Sequence, residues 1–362
     1  MPRILFVAAH RPDRSPSQRY RFEQFVPYWR ANGWETEYAW LIDEEDDRYF
    51  YSKGKLLHKG LFFLRSWRRR EAQVKRAGDF DIVFVQREAF MTGSTRFEKA
   101  FKRSGAKLVF DFDDAIWRMD VSDGNRYLRW LKKPSKTSGL IAMADHVIAG
   151  NAYLAAYATK FNSQVSLFPT VIDAELYQPR ARVDDGTVVI GWTGSKTSVA
   201  HMRQALPALR EIQTKYGDRV RFRIISDGVF TDPGMNVENV LWKSSTEVED
   251  LNAIDIGIMP LPHTEWSRGK CGFKGLQYMG LGKAVVLDNI GVNSTILQDG
   301  VNGFLASSKN EWVEKISRLI EDPDLRRRLG AEARRTVERD YSVQAWRDKY
   351  LELFNSLIKT KP

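Results

Sequence analysis

Three cationic side chains stand close together just before an apolar run with helical spacing. Arg268, Lys270 and Lys274 lie within seven residues, interleaved with glycines, in the segment RGKCGFKGLQYMGLG. Arginine supplies a bidentate fork, lysine supplies a mobile point charge, and a helix start adds positive potential. This combination suits a diphosphate, so the pattern predicts an anion site. The alternative is a solvated cluster of surface charges.

A second glycine-bearing turn precedes another helical run. The segment GWTGSKTSVAHM (191–202) follows the strand-like TVVI, and its Gly194 permits a tight turn. Ser195 is a good helix N-cap, and Lys196 adds a charge near N–H groups that suit a phosphate. The motif is neither a Walker loop nor G-x-G-x-x-G, so a plain strand–helix turn is the alternative.

Carboxylates follow a strand-like run in the first half of the chain. Asp111, Asp113 and Asp114 stand in DFDDAIW (111–117), directly after KLV. Three carboxylates in four residues repel one another unless a cation or hydrogen-bond donors attend them. Magnesium is one such cation. Capping of the next helix is a second interpretation.

Other polar side chains follow strands of the same half. Ser17, Arg19 and Arg21 come in the loop after the first strand, whereas Arg87 and Glu88 end the strand DIVFV. Because the carboxyl ends of parallel strands share one edge of a sheet, we expect these residues to line the acceptor side of a site. Solvated surface is the alternative.

The elements that must position these residues form two series of short, buried strands separated by segments long enough for helices. This pattern predicts parallel sheets built from βαβ units. The strands are RILFVA (3–8), DIVFVQ (81–86), KLVFDF (107–112), HVIAG (146–150), QVSLF (164–168), TVVIGW (187–192), VRFRII (220–225), DIGIMP (255–260) and AVVLD (284–288).

A proline- and charge-rich linker, residues 169–186, separates the two series. We therefore predict an α/β protein of two Rossmann-like doubly wound domains, residues 1–170 and 171–341, that face a central cleft. The last segment, 342–362, has apolar residues near helical spacing and predicts an amphipathic helix that packs back toward the N-terminal domain.

Bulk composition narrows the class of protein. The net charge is +10, and residues 1–150 hold 28 Lys/Arg against 20 Asp/Glu, which points to an anionic partner. Cys271 is the only cysteine, so a reducing compartment is expected. No apolar stretch is long enough to cross a bilayer, and the N-terminus lacks a signal-peptide cleavage site. We expect a cytoplasmic protein, peripheral on the inner face of the membrane if it docks there. The five histidines show no metal-ligand spacing.

The segment 53–77 mixes leucines and aromatic residues with nine Lys/Arg. Such a segment can lie on an anionic bilayer. A helix that packs its apolar side on its own domain has the same sequence pattern. Both interpretations stay open at this stage.

Several separated motifs, in family order over nearly the whole chain, resemble retaining glycosyltransferase family four, whose members have the GT-B fold. The strongest runs from Arg268 to Ala306. The others are S-x-R-Y-R (17–21), V-Q-R-E (85–88), D-F-D-D-A-I-W (111–117), P-T-V-I-D (169–173) and G-W-x-G-S (191–195).

The resemblance implies roles for the residues that match the motifs. Backbone groups of Gly194 and Ser195 would approach the donor phosphates, and Arg268 and Lys270 would neutralise the leaving diphosphate. Asp113 stands where many relatives place a histidine. The implied donor-binding set is Gly194, Ser195, Lys196, Trp242, Gly272, Phe273, Lys274 and Gln277; the catalytic set is Asp113, Arg268 and Lys270; the acceptor-binding set is Ser17, Arg19, Arg21, Arg87, Glu88 and Asp114.

One departure from the family pattern concerns two glutamates spaced E-x7-E in many members, where this chain has Gly269 and Gln277. A neutral amide at 277, one helical turn from Phe273, can still hydrogen-bond a ribose hydroxyl. The missing first carboxylate makes transfer of the family's sugar-recognition rules unsafe.

The sequence thus predicts a retaining, metal-independent glycosyltransferase for hexosyl or N-acetylhexosaminyl transfer. It would move a sugar from a UDP- or GDP-linked donor to a glycan or lipid-linked acceptor in cell-surface polysaccharide or glycoconjugate synthesis, with no other cofactor. An inactive homologue that binds nucleotide sugar as a partner subunit is the alternative. A nucleic-acid-binding protein lacks any recognition element here, and a dehydrogenase would need G-x-G-x-x-G after the first strand.

Overall fold

The computed structural model describes residues 1–50, 54–118, 133–183 and 185–359. It divides into two compact units. Unit 1 comprises Met1–Thr170 and Trp346–Pro362, and unit 2 comprises Val171–Ala345. Among the described residues, no helix is both long and apolar enough to span a membrane.

Unit 1 contains a six-stranded parallel sheet in the order β2-β1-β3-β4-β5-β6. Its strands are β1 (Arg3–Val7), β2 (Glu35–Ala39), β3 (Ile82–Gln86), β4 (Lys107–Phe112), β5 (His146–Ala149) and β6 (Val165–Leu167). The sequence pattern missed β2, because this edge strand is half-exposed and begins with three polar residues instead of a continuous apolar run. Every residue of β3, by contrast, is buried, as its continuous apolar run predicts.

Helices connect these strands and cover the sheet. The described ones of unit 1 up to its last strand are α1 (Pro16–Arg21), α2 (Val26–Ala31), α3 (Glu44–Phe50), α4 (Leu56–Lys75), α5 (Arg96–Arg103), α6 (Ser135–Met143) and α7 (Ala152–Ala158). The ring of Phe6 on β1 stacks on Phe22 at 4.7 Å and on Trp29 of α2 at 5.4 Å. These aromatic contacts hold the first helices on the sheet.

Unit 2 contains a second six-stranded parallel sheet, in the order β12-β11-β10-β7-β8-β9. Its strands are β7 (Val188–Thr193), β8 (Val220–Ser226), β9 (Val237–Leu241), β10 (Ile256–Met259), β11 (Ala284–Asp288) and β12 (Phe304–Ala306). Its helices are α8 (Val199–Tyr216), α9 (Glu247–Asn252), α10 (Glu265–Arg268), α11 (Phe273–Gly280), α12 (Asn293–Ile296), α13 (Lys309–Glu321) and α14 (Pro323–Asp340). The strand order reverses between β7 and β10, where doubly wound sheets bind ligands.

The last helix, α15 (Val343–Lys359), contributes to unit 1 from Trp346 onward. Tyr350 and Phe354 are almost fully buried there. The Phe354 ring meets that of Trp29 at 5.1 Å, and Tyr350 meets Phe25 at 4.7 Å. The core of unit 1 is therefore completed by residues from the far end of the chain.

The substitution Phe354→Ala should lower the free energy of unfolding by about 3–5 kcal/mol, because it leaves a cavity beside Trp29. Urea unfolding followed by tryptophan fluorescence measures the change. Glu352→Ala, on an exposed side chain of the same helix, is the matched control and should shift stability by less than about 0.5 kcal/mol. Equal losses in the two variants would contradict this account of α15.

Candidate functional site

The two segments predicted to bind an anion both leave the sheet of unit 2 at its switch point. Gly194 follows β7, and the loop that carries Arg268 and Lys270 follows β10, the strand hydrogen-bonded beside β7. Both loops thus start from the carboxyl edge of adjacent strands. This is the place where an open parallel sheet leaves room for a ligand.

Gly194 lies under the side chains of the neighbouring segment. A Cβ atom there would come within 2.6 Å of the Trp192 ring and 2.9 Å of Lys274 Cε. The two predicted loops therefore touch, and only glycine fits between them. The Gly194 N–H donates to the Ile225 carbonyl at 3.0 Å. In this structure Ile225 of β8 accepts that hydrogen, and the expected approach of the Gly194 backbone to the donor phosphates stays a prediction.

The turn after Gly194 presents hydroxyl and ammonium groups at an exposed edge. The Ser195 and Ser198 hydroxyls lie 3.1 Å apart, and Ser195 and Lys196 are exposed. The Lys196 N–H donates to the Asp227 carboxylate at the end of β8. Helix α8 begins after this turn without a side-chain cap and without an acidic residue in its first turn. Its N-terminus therefore retains its positive potential.

The cations of the second loop are oriented by neighbouring side chains. Lys270 Nζ lies 3.6 Å from the centroid of the Trp266 ring, a cation–π contact. Trp266 in turn meets the His201 ring of α8 at 5.1 Å. Arg268 is exposed and pairs with Glu265 at 3.0 Å, one helical turn away. An exposed pair of this kind is weak, so the guanidinium remains able to turn toward an anion.

Gly272 starts helix α11 in a conformation that glycine favours. Its φ is +69°, and a Cβ atom would lie 2.4 Å from Ile296 Cδ1. The helix has neither a side-chain cap nor an acidic residue in its first turn. Phe273 and Lys274, its first two residues, are half-buried. The start of α11 thus adds a helix dipole to the cations of the same loop.

A chain of hydrogen bonds fixes the predicted base contact. Trp242 Nε1 donates to Glu247 at 2.9 Å, and the hydroxyl of Tyr177 donates to the other oxygen of Glu247 at 3.2 Å. Gln277 Nε2 donates to the Tyr177 oxygen at 2.9 Å. Gln277 has no exposed surface in this structure, and its contact with a ribose hydroxyl stays a prediction. Glu247 and Tyr177 could not be found from the sequence, because residues from distant segments meet only in the fold.

In unit 1, Arg21 and Asp111 form a fully buried ion pair. Arg21 Nε lies 3.1 and 3.2 Å from the two carboxylate oxygens, and Nη1 donates to the Phe168 carbonyl at 2.6 Å. Neither side chain is exposed. In this structure the guanidinium of Arg21 is engaged by Asp111 and Phe168, and its contact with an acceptor stays a prediction. Its fork holds α1 to the ends of β4 and β6, where an unpaired buried carboxylate would be costly.

Asp113 lies at the centre of a polar cluster beyond β4. The Ser17 hydroxyl donates to it at 2.7 Å, Gln86 Nε2 donates to that hydroxyl at 2.6 Å, and Arg87 Nε donates to Asp113 at 2.8 Å. Burial alone would raise the pKa of Asp113, but Arg87, with help from Arg21 and Ser17, lowers it below its ordinary value of 3.8. Three predicted residues, 17, 87 and 113, are thus brought together.

The backbone of Arg87 is held in an unusual conformation that aims it at this cluster. Its φ is +62°, rare for a residue with a side chain, and its N–H donates to the Asp111 carbonyl at 2.8 Å. Asp114 lies 3.9 Å from the same guanidinium and accepts a hydrogen bond from Ala115. Backbone strain of this kind clusters at functional sites, where the surrounding structure maintains it.

Two further predicted acceptor residues have other contacts. Arg19 pairs with Asp13 at 2.9 Å and lies over the Tyr20 ring. Glu88 pairs at 3.2 Å with the buried Lys136, which also binds Glu98. The acceptor contacts of Arg19 and Glu88 stay predictions.

Comparison with known proteins bears on this geometry. Residues 187–322 match the family model described as glycosyl transferases group 1. The match lies within unit 2 and includes both loops at the switch point. The matched range thus coincides with the unit that carries the predicted donor site.

Solved structures share the fold of the whole chain. Sucrose-phosphate synthase of Thermosynechococcus elongatus has a TM-score of 0.69 at 13% identity and covers 100% of both chains. HepE of Anabaena, solved in complex with UDP and glucose, has a TM-score of 0.70 at 14% identity and covers 98% of this chain and 100% of HepE. The predicted fold class, two Rossmann-like parallel-sheet domains of the GT-B kind, is confirmed.

Among curated proteins, trehalose synthase of Pyrococcus horikoshii is 31% identical over 86 residues, which are 24% of this chain and 21% of the relative. The chain spans about two fifths or less of the length of the curated relatives it matches.

The substitution Asp113→Asn should make the free energy of unfolding depend less steeply on pH in the acid range. The folded-state pKa lies below 3.8, so the carboxylate stabilises the fold above that pH, and the contribution is lost as pH falls through the folded pKa. Urea midpoints measured from neutral to acid pH should fall less steeply in the variant than in the wild type. Asp218→Asn, at an exposed position, is the control. If the urea midpoints of the wild type and of Asp113→Asn fell in parallel with pH, the stabilising role of the ionised Asp113 carboxylate would be refuted.

Proposed function

We propose that this chain is a glycosyltransferase that moves a sugar from a nucleotide-diphosphate sugar, UDP- or GDP-linked, to a glycan or lipid-linked acceptor. One observation carries the proposal: at the switch point of unit 2, two uncapped helix starts and the cations Arg268, Lys270 and Lys274 converge within the range that matches glycosyl transferases group 1. A diphosphate is the anion that such a group of charges fits.

The donor would lie across the loops that follow β7 and β10. Arg268 and Lys270 would hold the diphosphate, and the first turn of α11, at Phe273 and Lys274, would face the transferred sugar. Trp242, fixed by Glu247, would contact the base. UDP is the nucleotide present in the structure of HepE, which supports uridine over guanosine as the first base to test.

In the proposed reaction, the acceptor oxygen bonds to the anomeric carbon on the face from which the diphosphate departs. The bond between that carbon and the diphosphate oxygen breaks, and its electron pair stays on the leaving group. A phosphate oxygen takes the proton of the acceptor hydroxyl, and configuration is retained. Arg268, Lys270 and the start of α11 stabilise the developing charge, so no metal ion takes part.

In unit 1 we assign Asp113 to the acceptor. Its carboxylate, set by Ser17 and Arg87, is an acceptor for a sugar hydroxyl. Asp114 and the strained Arg87 would complete the contact. We propose hexosyl or N-acetylhexosaminyl transfer in the synthesis of a polysaccharide or glycoconjugate, at the cytoplasmic side of the membrane.

A second candidate function is that of an inactive homologue, which binds the nucleotide sugar as a partner subunit. The observation that favours it is that glycine stands at 269, and a buried glutamine at 277, where many family-four members have glutamates. The two candidates differ in turnover but not in donor binding.

UDP or GDP should raise the thermal stability of the chain, because a ligand that binds only the folded state stabilises it by mass action. At a concentration a hundred times Kd the gain is about 2.7 kcal/mol. A thermal-shift series with UDP, GDP, UDP-glucose and AMP measures it, with AMP as the control lacking a diphosphate. If neither uridine nor guanosine diphosphates shifted the melting temperature, the predicted donor site would be ruled out.

The double substitution Arg268→Ala/Lys270→Ala should lower kcat about 10²–10³-fold, because charge on the departing diphosphate loses its partners. Folding stability should change little, since the Arg268–Glu265 pair is exposed. Arg327→Ala/Arg335→Ala on α14 is the matched control, because both arginines are exposed and pair with an acid one turn away. Near-normal turnover in the first variant would exclude these residues from the reaction. Donor binding by the wild type with no transfer to any acceptor would favour the inactive homologue.

A further inference from the structure

Helix α4 is held on unit 1 by one of its faces. Phe62, Ser66 and Arg70, spaced four apart, are buried. Arg70 donates to the carbonyls of Ala8 and Ala39, at the ends of β1 and β2. These contacts fix the orientation of α4 on unit 1, so the face opposite to the buried one points away from the unit.

That opposite face carries three leucines that point away from the unit. Leu57 is 85% exposed, Leu61 60% and Leu64 56%. Their spacing of four and three residues places them in one line along the helix. We call these three residues the leucine stripe. An aligned set of large, exposed apolar side chains marks an interaction surface rather than ordinary surface scatter.

Positive charge surrounds the leucine stripe. Helix α4 holds six Lys/Arg against one acidic residue. Arg68, exposed, continues the line of the stripe by one further turn, and Lys55, also exposed, precedes the helix. The acidic helix α3 lies along one flank of the stripe, where Glu45 and Asp46 line the same cavity as Leu61 and Asp46 pairs with Arg65.

We infer that the leucine stripe docks unit 1 on the surface of an anionic lipid bilayer, with α4 lying in the plane of the headgroups. In that position the leucines enter the boundary of the acyl chains, roughly 5–10 Å deep, while lysine and arginine pair with lipid phosphates. The long cationic side chains bury their stems beside the leucines and keep their charged ends at the headgroups. The sequence left open whether the segment 53–77 packs on its own domain or lies on an anionic bilayer. In this proposal one face of α4 packs on unit 1 and the opposite face docks on the bilayer.

A second copy of the chain fits this surface less well. Symmetric pairing through α4 would place one strongly basic helix against another. The charges would repel across the contact, whereas an anionic bilayer attracts them. Docking goes beyond the proposed transfer reaction and rests on α4 alone, although it suits an acceptor that is lipid-linked.

The test is vesicle co-sedimentation of the full chain. Vesicles of phosphatidylcholine mixed with phosphatidylglycerol should bind the wild type, vesicles of phosphatidylcholine alone should bind it at least about tenfold more weakly, and added salt should weaken binding. Leu57→Gln/Leu61→Gln/Leu64→Gln should lower binding to the anionic vesicles at least about tenfold. Leu176→Gln/Val183→Gln, at comparably exposed apolar positions of unit 2, is the matched control and should bind as the wild type does.

Two outcomes would overturn the inference. Unchanged binding by the triple variant would exclude the leucine stripe. A wild-type dimer in sedimentation equilibrium that becomes a monomer in the triple variant would show that the face joins two copies. The nucleotide thermal shift, measured on the same variants, should equal that of the wild type. Loss of vesicle binding can therefore be distinguished from loss of nucleotide binding in the same variants.

Discussion

The predicted donor site of unit 2 depends on how closely two loops approach each other at Gly194. There is no room for a side chain between the Trp192 ring and the aliphatic part of Lys274, so the loop after β7 and the start of α11 are pressed together. That contact places two helix N-termini and an ammonium group at one edge of the sheet. Gly272, at the start of α11, has a positive φ of +69°. This left-handed backbone lets the chain turn into the helix beside Ile296, which helps to place the start of α11 at the same edge of the sheet.

Unit 1 shows how one run of carboxylates can be divided between structure and chemistry. Asp111 is neutralised by Arg21 inside the protein, where the pair ties helix α1 to two strands. Asp113, two residues later and just past the end of β4, faces a half-exposed Arg87 and accepts a hydrogen bond from the Ser17 hydroxyl. Its side chain keeps 12% of its surface exposed, whereas that of Asp111 has none. The deeper carboxylate stabilises the fold, and the outer one borders the predicted acceptor side.

Much of the fold could be predicted from the sequence because central strands of a parallel sheet are apolar on both faces. The edge strands β2, β9 and β12 were absent from the two predicted series, since an edge strand is shorter or half-solvated and lacks that signal. At the site, glycines and cations close in sequence predicted the loops at 194 and 268–274 correctly as neighbours of helix starts. Burial was not predictable from local pattern. Gln277 and Arg21 carry polar groups that suit a ligand, yet packing from distant segments turns both inward. Glu247 and Tyr177 gave no local signal at all.

The placement of α15 has a consequence for synthesis of the chain on the ribosome. Trp29 and Phe25 are translated before unit 2, and their packing partners Tyr350 and Phe354 are translated after it. Unit 2, whose residues are continuous, can complete its core while unit 1 still lacks α15. A nascent chain would therefore expose an aromatic surface of unit 1 until unit 2 has been translated, which is the kind of surface that chaperones recognise.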